Sequence, residues 1–258
     1  MRRETQRRVV SALARVHFLC TAILVCQLSA AAFAAPKTTI VCREELPVTR
    51  REVLAEKLSA ITGLQIDFDL NGGLRVMPAA SNGGSQTARE LIMKAVSGRD
   101  VIVVEDASDR QDVVFSRVVP AAWKHHATDL PPVFVMLIDF ADFDRLLGDE
   151  DALRAFDVGW SFLHELDHVV NDSEDAGTLN EAGDCEDHIN IMRQECNLPL
   201  RTNYFFTFFP HAEDSDFRAR FVRLAFDRID PKTKKHHRYW VMWDAALVGG
   251  LPQIASAR

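Results

Sequence analysis

One pentapeptide, His164-Glu165-Leu166-Asp167-His168, constrains this chain of 258 residues more than any other stretch. On a helix it sets two imidazoles one turn apart on one face, close enough to grip a single zinc ion. The glutamate between them points toward the same edge, where it can deprotonate a metal-bound water. The spacing therefore predicts a helix that carries chemistry, and the rest of the domain must support it.

The N-terminus differs in kind from the rest of the chain. Arg2, Arg3, Arg7, Arg8 and Arg15 precede an apolar stretch from Val16 to Phe33 that ends in Ala32-Phe33-Ala34. This pattern predicts a secretory signal peptide over residues 1–34; the alternative is an uncleaved N-terminal anchor. Without residues 1–34 the chain retains 25 basic and 36 acidic side chains, a formal charge of −11. Such a surface repels nucleic acid and anionic lipid, so neither is expected as a partner, and no stable membrane association is expected after cleavage. Cys42, Cys185 and Cys196 are the cysteines outside that segment, too few for a disulfide framework.

The remaining chain divides into an expected small α+β lobe over residues 35–120 and a catalytic domain over 121–258. In the first part, Thr49-Arg50-Arg51-Glu52 and Thr87-Ala88-Arg89-Glu90 read as capping boxes opening two helices. Strands are expected at 64–70, 74–77, 101–105 and 113–118, with Asn71-Gly72-Gly73 as a turn. In the second part, Val133 to Ile138 is a continuous apolar run suited to a buried strand. Asp139 to Asp151 reads as an acidic connection, and one long helix is expected over 152–170, with a polar loop over 171–184. A further helix is expected from Asp184 to about Asn197, with Pro199 preventing its continuation. Strands come next at 221–229 and 237–243, joined by a solvated turn.

A catalytic zinc takes three protein ligands and keeps a position open for water. Glu181, Asp184, Glu186, Asp187 and His188 are candidates for the third. On the helix after Asp184, Glu186, Asn190 and Arg193 form one polar stripe, whereas Cys185, Ile189, Met192 and Cys196 form an apolar one. His188 falls nearly opposite Glu186. Helix geometry thus selects Glu186 as third ligand beside His164 and His168. It places Asn190 where it can hydrogen-bond a ligating imidazole, with Arg193 one turn further along. Eleven residues of helix separate Cys185 from Cys196 by roughly 16 Å, beyond disulfide reach. Asp172, Glu174 and Asp175 read as a solvated loop rim, and His125, His126, His236 and His237 as surface residues.

The combination His164-Glu165-x-x-His168 and Glu186-x-x-x-Asn190 is similar to the gluzincin zinc metallopeptidases, whose second helix carries Glu-x-x-x-Asp. Asn190 to Glu195, then Leu198-Pro199-Leu200-Arg201 and Tyr204, resembles more specifically a family of bacterial secreted-effector zinc metallopeptidases. The resemblance covers about residues 158–205. It implies a zincin-like α+β fold, with strand 133–138 either beside the active-site helix or near the strand that pairs with an extended peptide substrate. Asn190 stands where the general pattern has aspartate, Val169-Val170 replaces a small residue, and the N-terminal lobe has no counterpart in it.

The expected activity is that of an exported zinc metallopeptidase acting on peptide or protein substrates. Zinc would be held by His164, His168 and Glu186, with Glu165 as general base passing its proton to the leaving amine. Tyr204, then His211, are the candidate donors for the oxyanion. Arg193 and Arg201 either bind a substrate carboxylate or pair with local acids. Two alternatives stay open: a zinc hydrolase of a non-protein amide such as a cell-wall crosslink, and a non-enzymatic exported binding protein that keeps zinc only structurally, in a site closed by a fourth ligand, or not at all.

Overall fold

The computed structural model describes residues 39–77, 83–108, 110–121, 130–178, 181–208, 221–230 and 232–249. The expected signal segment, His125, His126 and His211 lie outside them. Strand β1 (Ile40–Cys42) leads into helix α1 (Val48–Thr62), the hairpin β2 (Gln65–Phe68) and β3 (Leu74–Met77), and helix α2 (Gln86–Ser97). Strands β4 (Val101–Asp106), β5 (Ser116–Pro120) and β6 (Val133–Ile138) come next, then helix α3 (Phe140–Asp144), strand β7 (Leu147–Gly148) and helix α4 (Glu150–Ala155). The second half contains helices α5 (Val158–Asn171) and α6 (Asp184–Glu195), then strands β8 (Leu200–Arg201), β9 (Thr207–Phe208), β10 (Phe221–Ile229) and β11 (His236–Asp244).

Two sheets organise these elements. One has the order β1-β4-β6-β5, with β1, β4 and β6 parallel and β5 antiparallel at the edge. Its centre includes the apolar run 133–138, as its sequence required. The other is antiparallel, with β11 and β10 in its middle and the short strands β7, β8 and β9 beside them. The architecture is thus mixed α and β, in keeping with the α+β expectation.

Helix α5 is the hub. It packs against α1, α2 and α6 and against β5 and β6. Trp160, Phe162, Leu163 and Leu166 are buried on a broad apolar face, the mark of a helix set into the core. Each such side chain stabilises the fold by about 1.5–3 kcal/mol at most. The histidine face is what remains uncovered.

Three expectations change. The boundary near residue 120 does not separate a lobe, because β4 and β5, before it, pair with β6, after it. Residues 39–249, where described, belong to one unit, Thr38–Arg258. The long helix over 152–170 is two, since Phe156 leaves helical geometry at φ −143° and Asp157 N-caps α5, accepting from the amides of Gly159 and Trp160. Neither capping box acts as one. Pro47 precedes α1 with no side-chain cap, and Ser85 caps α2 by accepting from the Ala88 amide. Thr87 instead donates its hydroxyl to Glu195 at the end of α6.

The entry to β5 is strained for a reason. Phe115 has φ 62°, a conformation that costs a bulky residue of order 1–3 kcal/mol. In return its ring enters the core, 5.2 Å from Phe143, 5.1 Å from Phe156 and 5.1 Å from Trp243. Its amide donates to the fully buried carboxylate of Asp142 at 3.1 Å, and its carbonyl accepts from the Asp139 amide at 2.8 Å. Asp142 therefore fixes where the edge strand begins.

Burial, reinforced by nearby Asp139, pushes the Asp142 carboxyl up from 3.8 to about 6, despite the amides of Phe115 and Gly249 and the Arg145 guanidinium. A carboxyl whose folded pKa exceeds its unfolded one contributes stability below the unfolded value and loses it as pH rises through the folded one. Compared with Asp142→Asn, the wild-type protein should lose up to about 3 kcal/mol of stability between pH 4 and pH 7. Denaturant midpoints of both proteins across that range measure the difference.

Candidate metal centre

Helix α5 ends in a turn that carries the chain back over its own histidines. Asp172 closes the helix with φ 55° and ψ 34°. Further on, Gly183 has φ 84°, and a Cβ there would lie 2.4 Å from the backbone nitrogen of Ala176. Only glycine fits this approach, and with it the amide of Cys185 reaches the carbonyl of Glu174 at 3.2 Å. Residues 174–176 are thereby held against the start of α6.

That return delivers Asp175 to the imidazoles. Its Oδ1 lies 3.0 Å from His164 Nε2 and 3.3 Å from His168 Nε2. The two rings are 4.9 Å apart and nearly perpendicular, at 87°. Both Nδ1 atoms face the opposite way. His168 Nδ1 donates to the Ser173 carbonyl at 2.7 Å, and His164 Nδ1 lies 3.6 Å from Glu186 Oε2. Each ring is thus turned so that its Nε2 faces the shared carboxylate, the orientation that outer partners impose on metal-binding histidines. Tyr204 donates its hydroxyl to Asp175 Oδ2 at 2.7 Å and stacks on His164 at 6.0 Å.

The electrostatics match the geometry. Burial opposes ionisation of Asp175, but hydrogen bonds from His164, His168 and Tyr204 outweigh it and hold the carboxyl well below the usual range. The bond to Asp175 raises His168 to about 9 against the opposing effect of burial. A proton therefore occupies the gap between imidazole and carboxylate, where a cation would bind, and a metal ion must displace it. His164, His168, Asp175 and Cys185 offer ligand atoms all within 4.8 Å of one another, so this group could hold a metal ion. The Cys185 thiol donates to the His164 carbonyl at 3.2 Å, and burial keeps it protonated far above its ordinary range. Once the proton between imidazole and carboxylate has left, the groups with lone pairs that converge are the two Nε2 atoms and the Asp175 carboxylate.

Glu186 does not occupy the place the sequence suggested. Its carboxylate is buried behind His164, where Arg193 and Arg201 both donate to it, Arg201 at 2.8 Å. Burial works against its charge, yet the two guanidiniums and His164 hold its pKa below the usual value. Its Oε2 lies on the Nδ1 side of His164, away from the Nε2 that meets Asp175. Asn190 likewise misses the histidines, accepting from Arg193 Nη1 at 3.0 Å and the Arg201 amide at 2.9 Å. Arg193 also donates to the Ala155 carbonyl at 2.9 Å, tying α6 to the end of α4. Both arginines are thus partners of a local acid, the second of the two roles expected for them. Glu181 and Asp187 are exposed, and Cys42, Cys185 and Cys196 are free thiols.

Asp175 is hidden in the sequence by its acidic neighbours. Asp172-Ser173-Glu174-Asp175 has the composition of a solvated rim, and nothing in it announces a left-handed helix end. Gly183 is the available signal, because a glycine at the mouth of a polar loop marks a close backbone approach.

Glu165 faces the edge strand. Its carboxylate accepts from the Ser116 hydroxyl at 2.8 Å and the Val118 amide at 2.8 Å, both on β5. With His164 it borders a cavity of about 300 Å³ whose apolar walls include Phe115, Phe156, Trp160, Phe206 and Trp243. The site combines a carboxylate, a cluster of groups that could hold a metal ion and an apolar recess beside α5.

Glu186→Gln should leave Arg193 and Arg201 facing each other beneath His164 without a counter-charge, at a cost of about 3–5 kcal/mol. Thermal unfolding of the metal-free protein reads that loss. Asp175→Ala, changing an exposed loop residue, should shift the same transition far less. No protein-family model matches this chain, and neither a curated protein nor a solved structure does.

Proposed function

We propose that this protein is an exported zinc-dependent metallopeptidase, zincin-like in its catalytic architecture. The observation that carries the reading is the turning of both His164 and His168 Nε2 atoms onto one carboxylate, with Glu165 of the same helix facing the adjoining cavity. Imidazole nitrogen and carboxylate oxygen in a three-ligand set suit a catalytic zinc that keeps one open position. The resemblance to gluzincins rests on the sequence motif. Asp175 here takes the ligand position that Glu186 holds in the sequence expectation. Export rests on the composition of residues 1–34.

When bound by His164, His168 and Asp175, zinc supplies a Lewis acid that polarises the substrate carbonyl and acidifies water. The protein's own groups do the rest. Glu165, fixed by Ser116 and Val118, takes the proton of the attacking water and returns it to the leaving amine. Tyr204 keeps its proton, because burial and the bond to Asp175 push its phenol far up; turning that one O–H from Asp175 to the carbonyl would make it the donor for the developing negative charge. Glu186 and Ser173 hold the imidazoles from behind. The apolar recess excludes water and receives a substrate side chain, and β5 offers an antiparallel sheet edge beside Glu165.

The test is metal analysis combined with cleavage of an unstructured protein such as casein. Wild type and Glu165→Gln should each bind one zinc per chain, with activity in the variant reduced by about 10²–10⁴-fold. Asp175→Ala should lose zinc affinity by at least ~10²-fold, more than removal of an outer partner costs. Full activity in Glu165→Gln, or a wild type that takes up no zinc, would sink the reading.

A further inference from the structure

His188 stands outside the ligand set, yet it is connected to it. On α6 its Nδ1 lies 2.9 Å from Asp167 Oδ2, and the Asp167 side chain is fully buried inside the His164–His168 pentapeptide. The other oxygen, Asp167 Oδ1, accepts from Asn171 Nδ2 at 2.6 Å, and Asn171 in turn accepts from Lys94 of α2 at 2.6 Å. The same His188 nitrogen is 3.3 Å from the Ser173 hydroxyl. Ser173 is the residue whose carbonyl receives His168 Nδ1 at 2.7 Å. A continuous set of polar contacts therefore runs from α2, through the end of α5 and across α6, to the loop that sets the direction of a proposed ligand.

We propose that His188 is a positioning residue for the metal centre, anchoring Ser173 and Asp167 so that His168 presents Nε2 to the ion; this rests on the zinc reading above. Its apolar contribution is small, since nearly half of the side chain is exposed, at 44%. What it supplies is a donor. Its N–H compensates a buried carboxylate that cannot reach water, and it sits beside the serine that begins the ligand loop. Ser173 is otherwise held through its carbonyl alone among the described hydrogen bonds. Two residues later the same loop carries Asp175, so a loosened Ser173 disturbs an imidazole and the carboxylate together. Losses of outer partners of this kind weaken metal binding by typically ~10–100-fold.

The experiment compares zinc affinity, by competition with a chromophoric chelator, for wild type, His188→Leu and His188→Asn. It also follows the His168 Nδ1–H signal of the zinc-loaded proteins by NMR. His188→Leu should bind zinc about 10–100-fold more weakly and expose that proton to faster exchange. His188→Asn, which keeps an N–H at the Nδ1 position, should recover most of both. Asn171→Ala, an exposed change on the far side of Asp167, should weaken zinc a few-fold and serves if the leucine variant does not fold. Equal zinc affinity in wild type and a folded His188→Leu would overturn the proposal. So would an asparagine variant as weak as leucine, since packing and not the donor would then be responsible. A wild type that binds no zinc would instead overturn the metal-centre reading itself.

Discussion

The buried carboxylate of Glu186 is the constraint on which the site depends. An unpaired charge in that position would cost several kcal/mol, so the fold must bring cations to it. It brings two, from different directions: Arg193 from the same helix and Arg201 from the short strand after it. Arg193 then reaches the Ala155 carbonyl and Arg201 the Tyr204 carbonyl, so one acid links α4, α6 and the segment that carries Tyr204. His164 rests on the remaining edge of that ion group. The first histidine thus leans on an ion network that itself borders the cavity beside Glu165.

The opposite side of α5 is governed by backbone geometry. Asp172 in a left-handed conformation and Gly183 in close contact with Ala176 fold the loop back, and Ser173 and Asp175 arrive at the second histidine together. The edge strand completes the enclosure. Its entry through Phe115 is strained, yet that strain places Ser116 and Val118 against Glu165. Three separate devices therefore aim three functional groups: an ion network, a glycine-dependent turn and an aromatic anchor.

Much of this was legible in the sequence. The buried strand 133–138, the hairpin after α1 and the paired strands at 221–229 and 236–244 agree with apolar runs and turn residues that match their surroundings. The His164–His168 helix came from spacing alone. The helical stripe singles out Glu186, and the structure puts its carboxylate on the Nδ1 side of His164, bonded to Arg193 and Arg201. A helical stripe tells which residues share a face, not which nitrogen of a partner ring they meet. Asp175 was illegible because its placement depends on a left-handed residue and a distant glycine, neither visible as periodicity. The division of the long helix at Asp157 was likewise hidden, since the apolar spacing continues across the break.

Two imidazole nitrogens and the Asp175 carboxylate, on the reading proposed above, make up the protein's share of an open zinc site. X-ray absorption at the zinc edge of the loaded protein distinguishes this from a closed site. Scattering from two imidazoles and further light N/O atoms is expected, with no sulfur in the coordination shell and with loss of this ordered site in Asp175→Ala. A sulfur ligand from Cys185 would rule the open site out, because a site closed by four protein groups is structural rather than catalytic.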